Sequence, residues 1–217
     1  MNLQNNIKND LQNLFSGKGE VRFGATIQAV THYLEKSSSP SQKVEDTKLI
    51  KKQEAEKLEV FISGNDLWKK VDFTRYVSEG AEQKVYLLDS IHVLKLNDAI
   101  YYPTWRDYFL NLLMHNYFFP DTAYELIGFT KQDEILYAIV EQSYVTLTEP
   151  TDLAQVKSFL LHNGFTNTRN NDYFNADLGI ILEDLHDENV LTRNGILYFI
   201  DTVFYLTEKF NHERNNR

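Results

Sequence analysis

Apolar residues along the first sixty positions recur at intervals of three or four, the spacing that places them on one face of an α-helix. In residues 2–15 and 25–34 that face consists of Leu3, Ile7, Leu11 and Leu14, then Ile27, Val30 and Leu34. Residues 43–61 form a third, highly charged helical pattern, and Ser37–Ser41 before it is typical of a linker. The pattern predicts an α-helical N-terminal extension over residues 1–60.

Beyond residue 60 the apolar residues occur in short runs rich in β-branched and aromatic side chains, which predicts strands. We expect strands near Asp72–Val77, Val85–Leu88, Ile91–Leu96, Tyr124–Thr130 and Ile135–Gln142, and helices over residues 104–116 and 152–162. Val190–Thr192 and Ile196–Ile200 flank Asn194-Gly195, a frequent tight turn of β-hairpins. These elements predict an α+β domain over residues 61–217, with a small lobe at about 68–142 and a large lobe at about 146–217.

Candidate chemistry surrounds the predicted hairpin. Asp184 precedes Asn189 by five positions, and Asp201 follows the return strand. Phosphoryl transfer needs a carboxylate that orients the attacking hydroxyl, together with an amide oxygen and a second carboxylate that hold magnesium. The alternative is that Asp184–Asn189 is a polar loop beside a strand and that Asp201 caps a turn.

A second group of candidate residues lies in the predicted small lobe. Gly80 precedes the second strand in a turn, as a glycine of a phosphate-covering loop does. Lys95 lies in the apolar run Val93–Leu96, where a buried ammonium needs a partner such as phosphate. The alternative is that Lys95 is a solvating charge on an edge strand. Glu141–Val145 would be a hinge whose backbone binds adenine, with Tyr144 as a wall of the pocket or as ordinary strand packing.

The order of these residues, together with several short stretches, resembles one known family. The stretches are Gly80–Tyr86, His115–Pro120, Tyr124–Phe129, Val140–Gln142 and Asp184–Leu191. They are similar to the small serine/threonine/tyrosine-kinase-like domain found in polyvalent proteins of bacterial mobile elements and phages, within the protein-kinase-like and aminoglycoside-phosphotransferase-like superfamily. The resemblance covers about residues 60–206.

The resemblance implies an ATP- and Mg²⁺-dependent phosphotransferase with a protein-kinase-like two-lobed fold, and leaves the phosphate acceptor open. It implies catalysis by Asp184 and Lys95, and Mg²⁺ binding by Asn189 and Asp201. It implies nucleotide binding by Gly80, Lys95, Glu141, Gln142 and Tyr144.

The sequence departs from the kinase pattern in its small lobe. Ser78 and Gln83 stand where two further glycines are expected, and the helix over residues 104–116 lacks the glutamate that pairs with the strand lysine. Asp107 on that helix is a candidate partner of Lys95. Alternatively, Asp107 forms a capping box with Thr104 at the start of the helix.

The predicted large lobe departs from the pattern as well. Leu182-Glu183 replaces the histidine-containing pair that usually precedes the catalytic aspartate, and His186 is a candidate for the missing loop-orienting role. Thr202-Val203 follows Asp201 in place of Phe-Gly, and the printed sequence ends soon afterwards, which predicts a truncated large lobe. These departures keep an alternative function open, namely a nucleotide-binding pseudokinase or a regulatory or interaction module of a mobile element.

Composition narrows the class of protein. The formal net charge of −9 argues against nucleic-acid binding by the whole surface, and 14 Phe with 13 Tyr predict a largely aromatic core. The absence of cysteine excludes disulfides and thiolate zinc sites. The sequence shows neither a membrane-spanning run nor a signal-peptide pattern at Met1–Asn6. We therefore expect a cytoplasmic protein that binds a nucleotide and, through residues 1–60, a protein partner.

Overall fold

The computed structural model describes residues 3–37, 47–80 and 82–210. Most of the predicted linker Ser37–Ser41 and the start of the third predicted helix lie outside these residues. The chain divides into two compact units. The N-terminal unit comprises the described residues of 14–116 and 123–144, and the C-terminal unit comprises those of 1–13, 117–122 and 145–217.

Each helix predicted from apolar spacing is present in the described residues. The helices are α1 (Leu3–Phe15), α2 (Ala25–Ser37), α3 (Thr47–Gly64), α4 (Trp105–Phe118) and α5 (Leu153–His162). The predicted faces of α1 and α2 are buried, as Leu11, Ile27 and Leu34 show. On α3, Leu58 and Ile62 are buried, so the thin apolar stripe of this charged helix is its packing face.

The N-terminal unit contains one five-stranded antiparallel sheet. Its strands are β1 (Tyr76–Glu79), β2 (Gln83–Leu87), β3 (His92–Asn97), β4 (Glu125–Gln132) and β5 (Ile135–Ser143), in the order β1-β2-β3-β5-β4. The strand predicted at Asp72–Val77 is wrong over its first half. There the Asp72 side chain accepts a hydrogen bond from Thr74 N–H and caps a 3₁₀ turn at Phe73–Arg75.

The central position of β3 explains its continuous apolar run. β3 pairs with β2 on one side and with β5 on the other, and its residues from Val93 to Asn97 are buried. On one face Leu94 and Leu96 pack in a cluster with Tyr86, Tyr137 and Ile139. Because side chains alternate along a strand, Lys95 lies on the opposite face from this cluster.

The C-terminal unit contains α5, a hairpin and a second sheet. The hairpin consists of β9 (Val190–Arg193) and β10 (Ile196–Phe199), and its turn residues Asn194 and Gly195 both have positive φ, 52° and 73°. This confirms the predicted tight turn. A four-stranded antiparallel sheet, absent from the predictions, has the order β11-β8-β7-β6 and contains β6 (Thr166–Arg169), β7 (Asp172–Asn175), β8 (Ile180–Glu183) and β11 (Val203–Leu206).

Aromatic rings fill the interior of the C-terminal unit, as the composition predicts. Phe119 stacks on Phe199 with ring centroids 4.1 Å apart, and Phe118 stacks on Phe204 at 5.4 Å. Such offset ring pairs stabilise a core by more than the burial of their apolar surface alone would.

No helix in the described part of the chain has the length and apolar character needed to cross a membrane.

Candidate functional site

Asp184 stands directly after β8 in a conformation that is unusual for its type. Its φ is 66°, in the left-handed region that non-glycine residues rarely adopt. Two hydrogen bonds hold this backbone: Asp184 N–H donates to Asp172 Oδ1 at 3.3 Å, and Leu185 N–H donates to the Asn171 carbonyl at 3.2 Å. Leu185 is fully buried, so the loop is anchored where it leaves the sheet.

The side chain of Asn189 closes the loop onto Asp184. Its Nδ2 donates to the Asp184 carbonyl at 2.9 Å and to the Asp184 carboxylate at 2.8 Å. Because both contacts use the amide nitrogen, the amide oxygen Oδ1 is turned away from Asp184. The five-residue spacing therefore presents one hard oxygen, the type of ligand that Mg²⁺ prefers.

The hairpin returns the chain to the same residue. The backbone carbonyl of Asn189 accepts hydrogen bonds from Ile200 N–H at 2.9 Å and from Asp201 N–H at 3.4 Å. The side chain of Asn189 thus faces Asp184, while its main chain holds Asp201. The structure brings together the three residues of the C-terminal unit that the sequence analysis selected.

His186 has a defined orientation in this loop. Its Nδ1 accepts a hydrogen bond from Glu188 N–H at 3.2 Å. The other ring nitrogen, Nε2, lies 3.3 Å from Asp184 Oδ1 and 3.1 Å from Asn189 Nδ2. This geometry agrees with the loop-orienting role predicted for His186.

Acidic groups surround Asp184. Partial burial raises the pKa of the Asp184 carboxyl, the carboxylates of Asp201 and Asp172 raise it further, and His186 and Asn189 lower it. Burial also raises the pKa of Glu183, with contributions from Asp172 and Asp184. Burial is the main cause of both raised pKa values, and the neighbouring carboxylates add a negative potential that a cation would relieve.

The donor set fits a magnesium ion that keeps several waters. Asn189 Oδ1 and the Asp201 carboxylate could serve as oxygen ligands, and Mg²⁺ is usually held by one or two carboxylates plus phosphate oxygens. In the described residues no group of three or more His, Asp or Glu side chains is arranged to hold a metal ion. A complete protein cage is therefore not the type of site formed here.

In the N-terminal unit, Lys95 is buried on β3, with 4% of its surface exposed. The edge-strand alternative for Lys95 is wrong, because β3 has a partner strand on each side. Among its contacts, Nζ lies 3.4 Å from the Tyr124 hydroxyl and 5.3 Å from the centre of that ring. The Tyr124 ring in turn packs on His115 of α4, with centroids 4.6 Å apart.

Asp107 caps α4. Thr104 Oγ1 accepts a hydrogen bond from Asp107 N–H at 3.0 Å and donates to the Asp107 carboxylate at 2.7 Å. The capping-box interpretation is confirmed, and the carboxylate is used at the helix start. Tyr124, which the sequence analysis did not select, is the observed neighbour of Lys95.

The backbone of the predicted hinge alternates in direction. Tyr144 N–H donates to the Ile91 carbonyl at 2.7 Å, and Gln142 pairs with Val93, so both residues direct their backbone groups toward β3. Ser143 therefore directs its N–H and C=O to the opposite side. There β4 begins only at Glu125, opposite Glu141, so no residue of β4 pairs with Ser143, whose register partner on the other side is His92 of β3. The side-chain pattern gave no signal for this residue.

Gly80 lies between β1 and β2, as predicted. Its N–H donates to the Gln83 carbonyl at 3.0 Å. A Cβ atom at Gly80 would meet no described atom within 4 Å, and the φ of Gly80 lies outside the left-handed region. Neither packing nor backbone conformation within the described residues requires a glycine here.

Comparison with known proteins gives one result for the family and none for individual relatives. The family model described as serine/threonine/tyrosine kinase found in polyvalent proteins matches residues 51–208. No curated protein and no solved structure matches the chain. The family match covers most of the 217 residues and includes every candidate residue described above. The chain belongs to the family of serine/threonine/tyrosine kinases found in polyvalent proteins.

Proposed function

We propose that this protein is an ATP- and Mg²⁺-dependent phosphotransferase that moves the γ-phosphoryl group of ATP to a hydroxyl acceptor. The observation that carries the proposal is the double role of Asn189. Its amide nitrogen binds Asp184 while its backbone carbonyl holds Asp201. This arrangement supplies a carboxylate for the acceptor hydroxyl and two oxygen ligands for Mg²⁺ from one short segment.

Each residue has a separate role in the proposed reaction. Asp184 accepts a hydrogen bond from the acceptor hydroxyl and takes its proton as the hydroxyl oxygen bonds to the γ-phosphorus. The bond from the γ-phosphorus to the bridging oxygen breaks, and ADP leaves. Asn189 and Asp201 would hold Mg²⁺, which would supply charge neutralisation at the phosphates, and Lys95 of the N-terminal unit would bind a phosphate oxygen.

The adenine would bind at the hinge through the backbone of Ser143. The register of β5 supports this assignment over Gln142 and Tyr144, whose backbone groups face β3. Tyr144, with 45% of its surface exposed, would contribute its ring to the wall of the pocket.

A second candidate function is nucleotide binding without transfer. It is favoured by the β1–β2 turn, where the Gly80 N–H is already bonded to the Gln83 carbonyl and so is not directed at a phosphate. It is also favoured by β1, whose four residues are exposed. An ATP phosphate that the β1–β2 turn covers only loosely would bind, but its transfer would be slow.

Asp184→Ala distinguishes the two functions. Purified protein is incubated with γ-labelled ATP and Mg²⁺, and label is measured in the protein, in free phosphate and in added cell extract. We expect transfer to fall by roughly 10²-fold, as for the loss of a positioned acid–base group, while ATP affinity changes by only a few-fold. Asp187→Ala, an exposed change in the same loop, is the matched control and should transfer at the wild-type rate. Equal label from wild type and Asp184→Ala would contradict the enzyme assignment.

A further inference from the structure

The C-terminal unit contains a cavity of about 450 Å³. It lies beside the C-terminal end of α5, and its walls carry the rings of Phe118, Phe119, Phe159, Phe165 and Phe204. No residue of the loop Asp184–Asn189 lines it. Cavities of this size and apolar character are typical of small-molecule sites.

The end of α5 leaves one polar group uncovered in the wall of this cavity. Gly164 N–H bonds to Leu161 O and Phe165 N–H bonds to Leu160 O, a pairing that requires a left-handed residue at Gly164, whose φ is 82°. A Cβ atom at Gly164 would stand 3.1 Å from Nδ2 of Asn175. The glycine that ends the helix therefore leaves that amide nitrogen accessible from the cavity.

Asn175 is 4% exposed, and of the two polar atoms of its side-chain amide only the oxygen is hydrogen-bonded within the described residues. Its Oδ1 accepts from Leu178 N–H at 2.9 Å, and its Nδ2 makes no hydrogen bond with any residue in the described ranges. Nδ2 is not one of the fully buried side-chain atoms that lack a partner in the described residues, so it is reached from the cavity rather than enclosed in the interior. A ligand with an acceptor at this point would bond to this donor.

The remaining wall favours an uncharged ligand. Among the described residues, no Lys, Arg, Asp or Glu lines the cavity, and His162 and Tyr117 are its titratable side chains. A charged ligand would therefore lose its hydration without gaining a fixed counter-charge. The Tyr117 hydroxyl donates to Asp10 at 3.2 Å, and burial raises the pKa of Tyr117 to about 12, so the phenol is neutral and already bonded. Asn163 Nδ2 donates to the Phe159 carbonyl at 2.8 Å.

We propose that this cavity binds a small, flat, uncharged aromatic compound whose carbonyl oxygen accepts a hydrogen bond from Asn175 Nδ2. The phenylalanine rings supply offset or edge-to-face contacts to the flat ring system. The proposal is independent of phosphoryl transfer, since it uses none of the residues assigned to that reaction.

Two probes test the proposal on the full chain. Coumarin is a bicyclic aromatic lactone with a carbonyl acceptor, and naphthalene has a similar shape without one. Binding is measured by ligand-detected NMR, and intermolecular NOEs locate the probe. We expect coumarin to bind about tenfold more tightly than naphthalene, as one well-placed hydrogen bond allows, with NOEs to the methyl groups of Leu178 and Leu182. Equal affinities, or NOEs only to other residues, would overturn it.

Variants provide a second measurement. Ile7→Trp adds bulk from a residue that lines the cavity, and Ile196→Trp adds the same side chain at a position that is 56% exposed. We expect Ile7→Trp to weaken coumarin binding at least about tenfold and Ile196→Trp to leave it unchanged. Asn175→Asp keeps the acceptor for Leu178 N–H and removes the donor, so it should weaken coumarin alone. Retained coumarin binding in folded Ile7→Trp contradicts the proposal, and if that variant does not fold, the NOEs on wild type decide.

Discussion

Asn189 contributes to the candidate site through both its side chain and its main chain. The side chain contacts Asp184 and the carbonyl accepts from Asp201 N–H. The sequence analysis could recognise Asn189 and its five-residue spacing from Asp184, because only Asn, Gln, Asp and Glu side chains provide amide or carboxylate oxygens. Ser143 and Asp172 were not visible, because their contributions depend on strand register, which residue type does not specify.

Asp184 should give the reaction a pH dependence that His186 controls. Asp184 acts as a base only when ionised, so transfer should fall as the pH falls through its pKa, which burial and Asp201 hold above the ordinary value. His186 lowers that pKa. His186→Ala should therefore move the acidic limb of the rate–pH profile to higher pH, measured with label transfer at saturating ATP and Mg²⁺. Asp187→Ala is the control, and a limb that does not move in His186→Ala would show that another group titrates.

At the scale of elements, local signals were sufficient where the chain needs a special backbone conformation. Asn194-Gly195 predicted the hairpin turn because both residues must adopt positive φ, and Thr104 with Asp107 predicted the start of α4. The sheet of β6, β7, β8 and β11 was missed because, unlike the equally short β9 and β10, its strands are not joined by an Asn-Gly turn. In β6, Thr166–Arg169 is a polar, mostly exposed run, so no period-two pattern marks it.

The start of α4 also depends on a carboxylate from another helix. Glu54 of α3 is 3% exposed, and its Oε2 accepts from Trp105 N–H at 2.7 Å and from Arg106 N–H at 3.3 Å. We expect Glu54→Ala to lower the free energy of unfolding by about 1–2 kcal/mol, since two helix N–H groups lose their acceptor. Glu56→Ala, exposed on the same helix, should change it little. Urea unfolding of the variants measures both values, and equal losses would contradict the capping role.

The same contact predicts how stability changes with pH. Burial raises the pKa of Glu54, so the folded protein binds a proton more tightly than the unfolded chain, and stability should decrease as the pH rises from the unfolded to the folded pKa. Glu54→Gln keeps an acceptor oxygen and removes the titration. Its unfolding free energy should therefore depend less on pH in that window than that of wild type. An identical pH dependence in both proteins would assign the titration elsewhere.

At the scale of the whole molecule, the proposed reaction uses residues of both units. Lys95 belongs to the N-terminal unit, and Asp201 belongs to the C-terminal unit. We expect Lys95→Met to weaken ATP binding about tenfold or more with or without Mg²⁺, since it removes a charged hydrogen bond to phosphate. Asp201→Asn should remove only the part of the affinity that Mg²⁺ adds. Calorimetric titration with ATP, in Mg²⁺ and in EDTA, measures both effects.

Lys131→Met is the matched control for the lysine, because Lys131 is a partly exposed residue of β4 paired with Glu59. ATP affinity in Mg²⁺ that is unchanged by either Lys95→Met or Asp201→Asn would contradict a shared nucleotide site. The family description names serine, threonine and tyrosine kinases but identifies no acceptor molecule for this chain. The acceptor must therefore be identified from the label-transfer products.

The position of Asp201 is set by the main-chain carbonyl of Asn189, which every amino acid possesses. At position 189 the side chain carries the proposed Mg²⁺ ligand, and the backbone carbonyl accepts the hydrogen bond from Asp201. A single substitution at position 189 would therefore remove the proposed Mg²⁺ ligand and keep the backbone hydrogen bond that positions Asp201.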